Sequence, residues 1–372
     1  MAACILLLLR LAASPAPTQA PEDLRQAELM LGFLRSAASG PAASGLVDSA
    51  MHARGTELIL KQQNISRRVS PEQYRALLAA LPGTTPPDLA PVDASERSRR
   101  GLEGLLKDVW PALRWGTAHT DVLEARIDQL RHTDVRAKAA ALAQRFLPDG
   151  MEPDARVWIV MGGRAGAAAF ESGDIYFDVL AMSYKAASGA AGAYPTTEEQ
   201  VEFFAHEMHH LGLGDALEKA RKRLVLSPEE AHALDALTSL VMEGSATYLI
   251  NAHRDLGAMR RDPNYADFLS KNDALLEICQ QIVEKLLNGS PDAEAYDRAT
   301  APLSGNGWHS AGAMMLAAID ANGGLDAVMA AMRDPRTLLA AYNRVARPRA
   351  GSEAWAFDSD LAARLAKLGE HR

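Results

Sequence analysis

The chain has 372 residues, a formal net charge of -8 and two cysteines. That length can bury a substantial core, in one large domain or two ordinary ones. An acidic balance with no dense Lys/Arg run argues against nucleic acid as a partner, and Cys4 with Cys279 implies no disulfide framework.

Residues 1–20 hold a short apolar run, interrupted by Arg10 and followed by a Pro/Ala/Thr tail. They read as a secretory signal or a disordered tail, too short to span a bilayer. The first reading places the protein in the periplasm or outside the cell, the second in the cytoplasm. No later apolar run reaches membrane length, so no integral membrane segment is expected. Residues 22–39 and 46–63 carry helical periodicity across a Gly/Pro/Ser break, and Ser70-Pro71-Glu72-Gln73 reads as a capped helix start. A helical region is expected over 21–93, with a linker at 83–91 and a second domain over 94–372.

Helical pattern resumes over residues 94–147, where Trp110 and Trp115 read as structural. Two strands are expected, at 156–161 (R-V-W-I-V-M) and 173–179 (G-D-I-Y-F-D-V). The second is either an edge that an extended peptide could join or half of an ordinary core hairpin. Thr196 or Thr197 then caps a helix, with Glu199 or Gln200 reaching back, and Leu211-Gly212-Leu213-Gly214 reads as its glycine end.

That helix carries His206-Glu207-Met208-His209-His210, an H-E-x-x-H pattern. At about 100° of rotation per residue, His210 returns to within about 40° of His206, so both imidazoles can grip one metal ion. Glu207 falls beside them, placed to act on a water without being a ligand. Pairing His206 with His209 would turn Glu207 away, so His206 and His210 are preferred. Random order gives the pattern in roughly two such chains per hundred, and the bland alternative is a surface helix with three histidines. Val201, Phe204, Ala205, Met208 and Leu211 form an apolar stripe on the far side, which favours a helix that packs on one face.

A catalytic zinc normally takes three protein ligands. Ser227-Pro228-Glu229-Glu230 opens a further helix running to about residue 250, with Leu234, Leu237, Val241 and Tyr248 as its packed back. Glu243 faces the other way among small residues, where a buried carboxylate needs a metal or a basic partner. Asp215 is the rival ligand. The longer pattern with a third His or Asp after a fixed glycine fails, because Leu213 and Ala216 occupy those positions.

His206-Glu207-x-x-His210 followed by Glu243-Gly244-Ser245-Ala246 resembles the Glu-zincin class of metallopeptidases. It resembles more closely a bacterial family of zinc-dependent peptidases marked by H-E-x-H-H, then E-G-x-A, then a helix ending at glycine and a P-x-x-L-x-x-x-Y element. The later elements are His309-Ser310-Ala311-Gly312-Ala313-Met314-Met315, Gly323-Gly324, and Pro335-Arg336-Thr337-Leu338 with Tyr342. The resemblance covers residues 173–342. It implies an α+β, mostly helical, zincin-like fold with a small sheet ahead of the metal helix and a helical C-terminal part. It also implies one Zn2+ per chain on His206, His210 and Glu243, with Glu207 as general base and His309 as oxyanion donor. Tyrosine is the more usual donor, which leaves Tyr248, Tyr176 and Tyr342 as candidates, and His209 as a residue that orients a ligand. The implied activity is hydrolysis of a peptide or protein substrate. Hydrolysis of another amide or ester, and a silent zincin-fold binding protein, are the alternatives.

Overall fold

The computed structural model describes residues 22–40, 44–153, 155–162, 167–169, 173–189, 193–271, 273–289, 293–346 and 355–370, and the leader-like segment 1–20 lies outside them. The architecture is α+β and mostly helical, with a single small sheet among the described residues. The chain divides into two compact units.

The first unit comprises Met1–Ile127 and Trp158–Gly162. Its described helices are α1 (Glu22–Ser39), α2 (Ser44–Met51), α3 (Arg54–Arg67), α4 (Pro71–Ala80), α5 (Glu96–Gly104) and α6 (Trp110–Ala118). Met30, Phe33 and Leu34 of α1 are fully buried, as are Leu58 and Ile59 of α3 and Leu77 and Leu78 of α4. Ser70 caps α4 with Gln73 reaching back, the reciprocal box that its sequence signals. The buried Gln26 amide serves the backbone of Met161 in both directions, accepting from its N–H at 2.8 Å and donating to its carbonyl at 2.9 Å. Trp110 is buried and Trp115 stacks on His119. The Pro-rich stretch 83–91 lies within this unit.

The second unit comprises Asp128–Val157 and Gly163–Arg372. α7 (Thr120–His132) and β1 (Arg156–Val160) have residues in both units, whereas α8 (Val135–Arg145), β2 (Ala167–Ala169) and β3 (Asp174–Asp178) fall within the second, and the sheet order is β1-β3-β2. β2 runs antiparallel to β3, with Ala167 opposite Phe177 and Ala169 opposite Ile175. β1 and β3 stand where branched apolar residues predicted strands. The edge role considered for the second strand is overturned, because β3 is central and already has a neighbour on each side. β2 was not foreseen: three alanines carry no strand preference.

Beyond α9 (Val179–Ala187), the unit is built on α10 (Thr197–Arg221), α11 (Pro228–Ser245), the short α12 (Leu256–Arg261) and α13 (Pro263–Ser270), α14 (Asp273–Asn288), α15 (Ala293–Thr300), α16 (Gly307–Arg333), α17 (Leu338–Val345) and α18 (Ser359–Ala366). Thr196 with Glu199, and Ser227 with Glu230, form the reciprocal caps of α10 and α11. One expectation fails: α10 does not end at its glycines but continues to Arg221. Gly212 is there for packing, since a Cβ would sit 2.6 Å from Leu147 Cδ1 and 3.2 Å from the Glu152 carbonyl oxygen. α16 breaks at Gly324, where φ is 71°, as its glycine pair suggests. No helix among the described residues is long and apolar enough to cross a membrane.

Candidate metal centre

The centre is built where α10, α11 and α16 meet. α11 and α16 touch backbone to backbone at two glycines. A Cβ on Gly312 would fall 1.9 Å from the Leu240 carbonyl oxygen, and one on Gly244 would fall 2.5 Å from Gly312 Cα. Only glycine at both positions permits that approach. Glu243 precedes Gly244 in α11, and His309 lies about one turn before Gly312 in α16, so the close crossing brings these two side chains together.

Glu243 Oε2 then stands 2.9 Å from His309 Nε2, 3.2 Å from His210 Nε2 and 3.9 Å from His206 Nε2. The His206 and His210 rings meet edge to face with centroids 4.5 Å apart, and His206 lies nearly parallel to His309 at 5.9 Å. Among the described residues, one ligand atom each from His206, Glu243 and His309 all fall within 4.8 Å of one another. Spacing paired His206 with His210, a face of small residues offered Glu243, and the resemblance added His309 as a donor; the structure makes His309 the third imidazole at that carboxylate. Asp215, the rival ligand, is exposed and pairs with Lys219 one turn along α10.

These donors fit a divalent cation. His206 Nδ1 lies 2.7 Å from Asn251 Oδ1, an acceptor only, so the ring carries its proton on Nδ1 and presents a lone pair at Nε2. The lone pair of a neutral imidazole facing a carboxylate oxygen is unfavourable, and either a proton taken up at Nε2 or a cation between the two relieves it. Nδ1 of His210 and of His309 is buried with no hydrogen-bond partner among the described residues, so the polar contacts recorded for these rings are on the Nε2 side. Burial alone would raise the Glu243 pKa, but contacts with His206, His210 and His309 outweigh it and hold the carboxyl well below the usual carboxylate range. Imidazole nitrogen with carboxylate oxygen is a donor set suited to zinc.

Glu207, His210 and Glu243 line a cleft of about 980 Å³ that continues along α10 and α11 past Leu211, Gly214 and Met242. Glu207 is therefore at the cleft wall beside the cluster. His209 points the other way: it is fully buried, and burial, then the charges of His210 and His206, push its pKa down to about 3. It is a core histidine held neutral.

Two neighbours escaped the sequence reading. Asn251 reaches His206 because the chain after Ser245 winds as a π-helix, Ala246–Asn251, an irregular turn without a sequence signal. The turn is closed by His253 and Arg254, both with positive φ (48° and 65°). Such backbone persists only when its surroundings enforce it. Here Arg254 grips the buried Asp320 of α16 through two bonds of 2.8 Å, and His253 pairs with Glu202 of α10 at 2.8 Å. Tyr265, in the first turn of α13, is the second neighbour, with its ring 6.3 Å from that of His309. Burial, then the charge of Asp262, raise its pKa, with Glu243 adding to the rise. The tyrosines singled out earlier are engaged elsewhere. Tyr248 donates to Asp320 at 2.9 Å, Tyr176 is fully buried in β3, and Tyr342 packs on Phe357.

Fold and site together define a mostly helical α+β protein with a His/Glu cluster able to hold a metal ion. Residues 109–350 match the family model described as "Putative zinc dependent peptidase (DUF5700)", and the chain belongs to that family. No curated protein and no solved structure matches it.

Proposed function

We propose that the protein is a zinc-dependent metallopeptidase whose zinc is held by His206, His210 and Glu243, with Glu207 as general base. The observation that carries this reading is the convergence of imidazole Nε2 atoms on Glu243 Oε2 at the wall of a cleft that Glu207 also lines. Zinc bound there supplies a Lewis acid that lowers the pKa of water toward neutrality and polarises a carbonyl. Glu207 takes the proton from the attacking water and returns it to the leaving amine. Asn251 holds His206 in the tautomer that leaves Nε2 free to bind. His309 donates to the oxygen that gains charge as the peptide carbonyl is attacked.

A specific observation favours a second ligand set. His206, Glu243 and His309 are the mutually close trio, which would make His309 a ligand and leave Tyr265 as the nearest phenol to act as donor. Metal content of His210→Ala, Glu243→Ala and His309→Ala, measured beside wild type with peptide hydrolysis, separates the two. Loss of zinc in the first two with retention in the third supports the first set. Stoichiometric zinc in Glu243→Ala refutes both.

A further inference from the structure

The metal-bearing helix contains two glycines with opposite surroundings. Gly212 is buried against Leu147 and the Glu152 carbonyl, where no side chain fits. Gly214 is half-exposed at the cleft, and a Cβ there would meet nothing nearer than Met242 Cε at 3.4 Å, an ordinary contact. Packing does not demand glycine at 214, and glycine weakens a helix interior relative to alanine. What glycine provides at this point is space.

The space adjoins the proposed reaction site. Gly214 is one turn beyond His210 and two beyond Glu207 on the same face, about 6 Å and about 10 Å along the axis. All three residues line the one cleft. The distance from His210 is less than two residues of extended peptide. Charged residues around the cleft already have partners: Arg221 pairs with Asp235, Arg336 with Asp334, Lys222 with Glu218 and Arg333 with Asp149. Met242 is the side chain nearest to Gly214, and Leu211, Leu217 and Leu234 line the same cleft, with the Thr238 hydroxyl as a polar group among them.

We propose that Gly214 is a specificity-determining residue: its missing side chain opens an apolar subsite for a large aliphatic or aromatic side chain of the peptide, next to the scissile bond. The inference rests on the peptidase reading, and its test is arranged so that the two can fail separately. Zinc-loaded full-length wild type, Gly214→Ala and Gly214→Leu are compared on two peptides that differ only in Leu or Ala beside the cleaved bond. Binding of both peptides is measured by titration calorimetry alongside kcat/KM, on Glu207→Gln backgrounds where turnover must be suppressed.

Gly214→Ala and Gly214→Leu keep full zinc occupancy and a native circular dichroism spectrum. Gly214→Leu weakens binding of the Leu peptide by about 10-fold or more and lowers its kcat/KM by a similar factor, while the Ala peptide changes by less than about 3-fold. Equal losses for both peptides, no loss for either, or a wild type that binds Leu and Ala peptides alike overturn the proposal. A wild type that prefers the Leu peptide in binding, loses that preference in Gly214→Leu and hydrolyses neither peptide upholds the subsite while refuting the peptidase reading.

Discussion

Replacing Gly312 by alanine tests the helix crossing on which the centre is built. The added Cβ would lie 1.9 Å from the Leu240 carbonyl oxygen and 2.8 Å from Gly244 Cα. Ordinary carbon–oxygen contact begins at about 3.3 Å, so α11 and α16 must part by more than about 1 Å. Both obstacles are backbone, so no side chain can rotate away to relieve them. Overpacking of this kind costs about 1–3 kcal/mol, against a gain in helix propensity of about 1 kcal/mol from losing a glycine. A net loss of up to about 2 kcal/mol follows, even before metal is considered. The effect on the centre is larger, because Glu243 and His309 ride on the two displaced helices, and zinc bond lengths tolerate only about 0.2 Å. Urea unfolding with chelator reads the first effect, and zinc competition with a chromophoric chelator reads the second. Gly214→Ala, where a Cβ has room, is the matched control and should be neutral or stabilising. If Gly312→Ala unfolds at the wild-type midpoint and binds zinc with wild-type affinity, the argument from close contact is wrong.

Other substitutions separate the roles assigned around the cluster. Glu207→Gln should retain zinc and lose at least about 100-fold in kcat, since it removes a base and no ligand; equal loss of zinc would reassign it. Asn251→Ala should lower zinc affinity about 10- to 100-fold by freeing the His206 ring, with the fold intact by circular dichroism; unchanged affinity would make the contact incidental. Zinc should raise the unfolding midpoint in proportion to the logarithm of its free concentration, because it binds the folded chain. Acid behaviour follows from His209, whose folded pKa is pushed down to about 3 from 6.5. The unfolded chain takes up that proton first, so this contribution is complete above pH 6.5 and is lost as pH falls toward 3. In metal-free protein His209→Leu should flatten the decline of stability between pH 6 and 4, and an unchanged slope would refute burial as its cause.

Local signals in the chain carried much of the architecture. The reciprocal caps at Ser70 and Ser227 stand where hydroxyl, proline and Gln or Glu spacing put them, the structure selects Thr196 over Thr197 for α10, and the break at Gly324 sits in the glycine pair that suggested it. Such features depend on residues three or four apart. The misreadings came from contacts between distant segments. Gly212 and Gly214 resembled a helix end because isolated glycine weakens a helix, and only the approach of Leu147 in one case and the cleft in the other explains why the helix carries them. Asn251 and Tyr265 were missed because a π-helical turn and the docking of a short helix leave no period in the sequence. Glu243 was found from its face of small residues, and Gly244 and Gly312 show why they must be small.

Asp320 lies eleven residues after His309 in α16, about 16 Å along the same rod. One end of that rod presents an imidazole to Glu243, and the other anchors the guanidinium that keeps the torsionally strained turn behind Asn251 in place. A tilt of α16 would disturb both at once, so the pocket should assemble or fall apart as a unit, without a half-built stage. Damage at Asp320, about three turns along α16 from His309, would then mimic loss of a ligand.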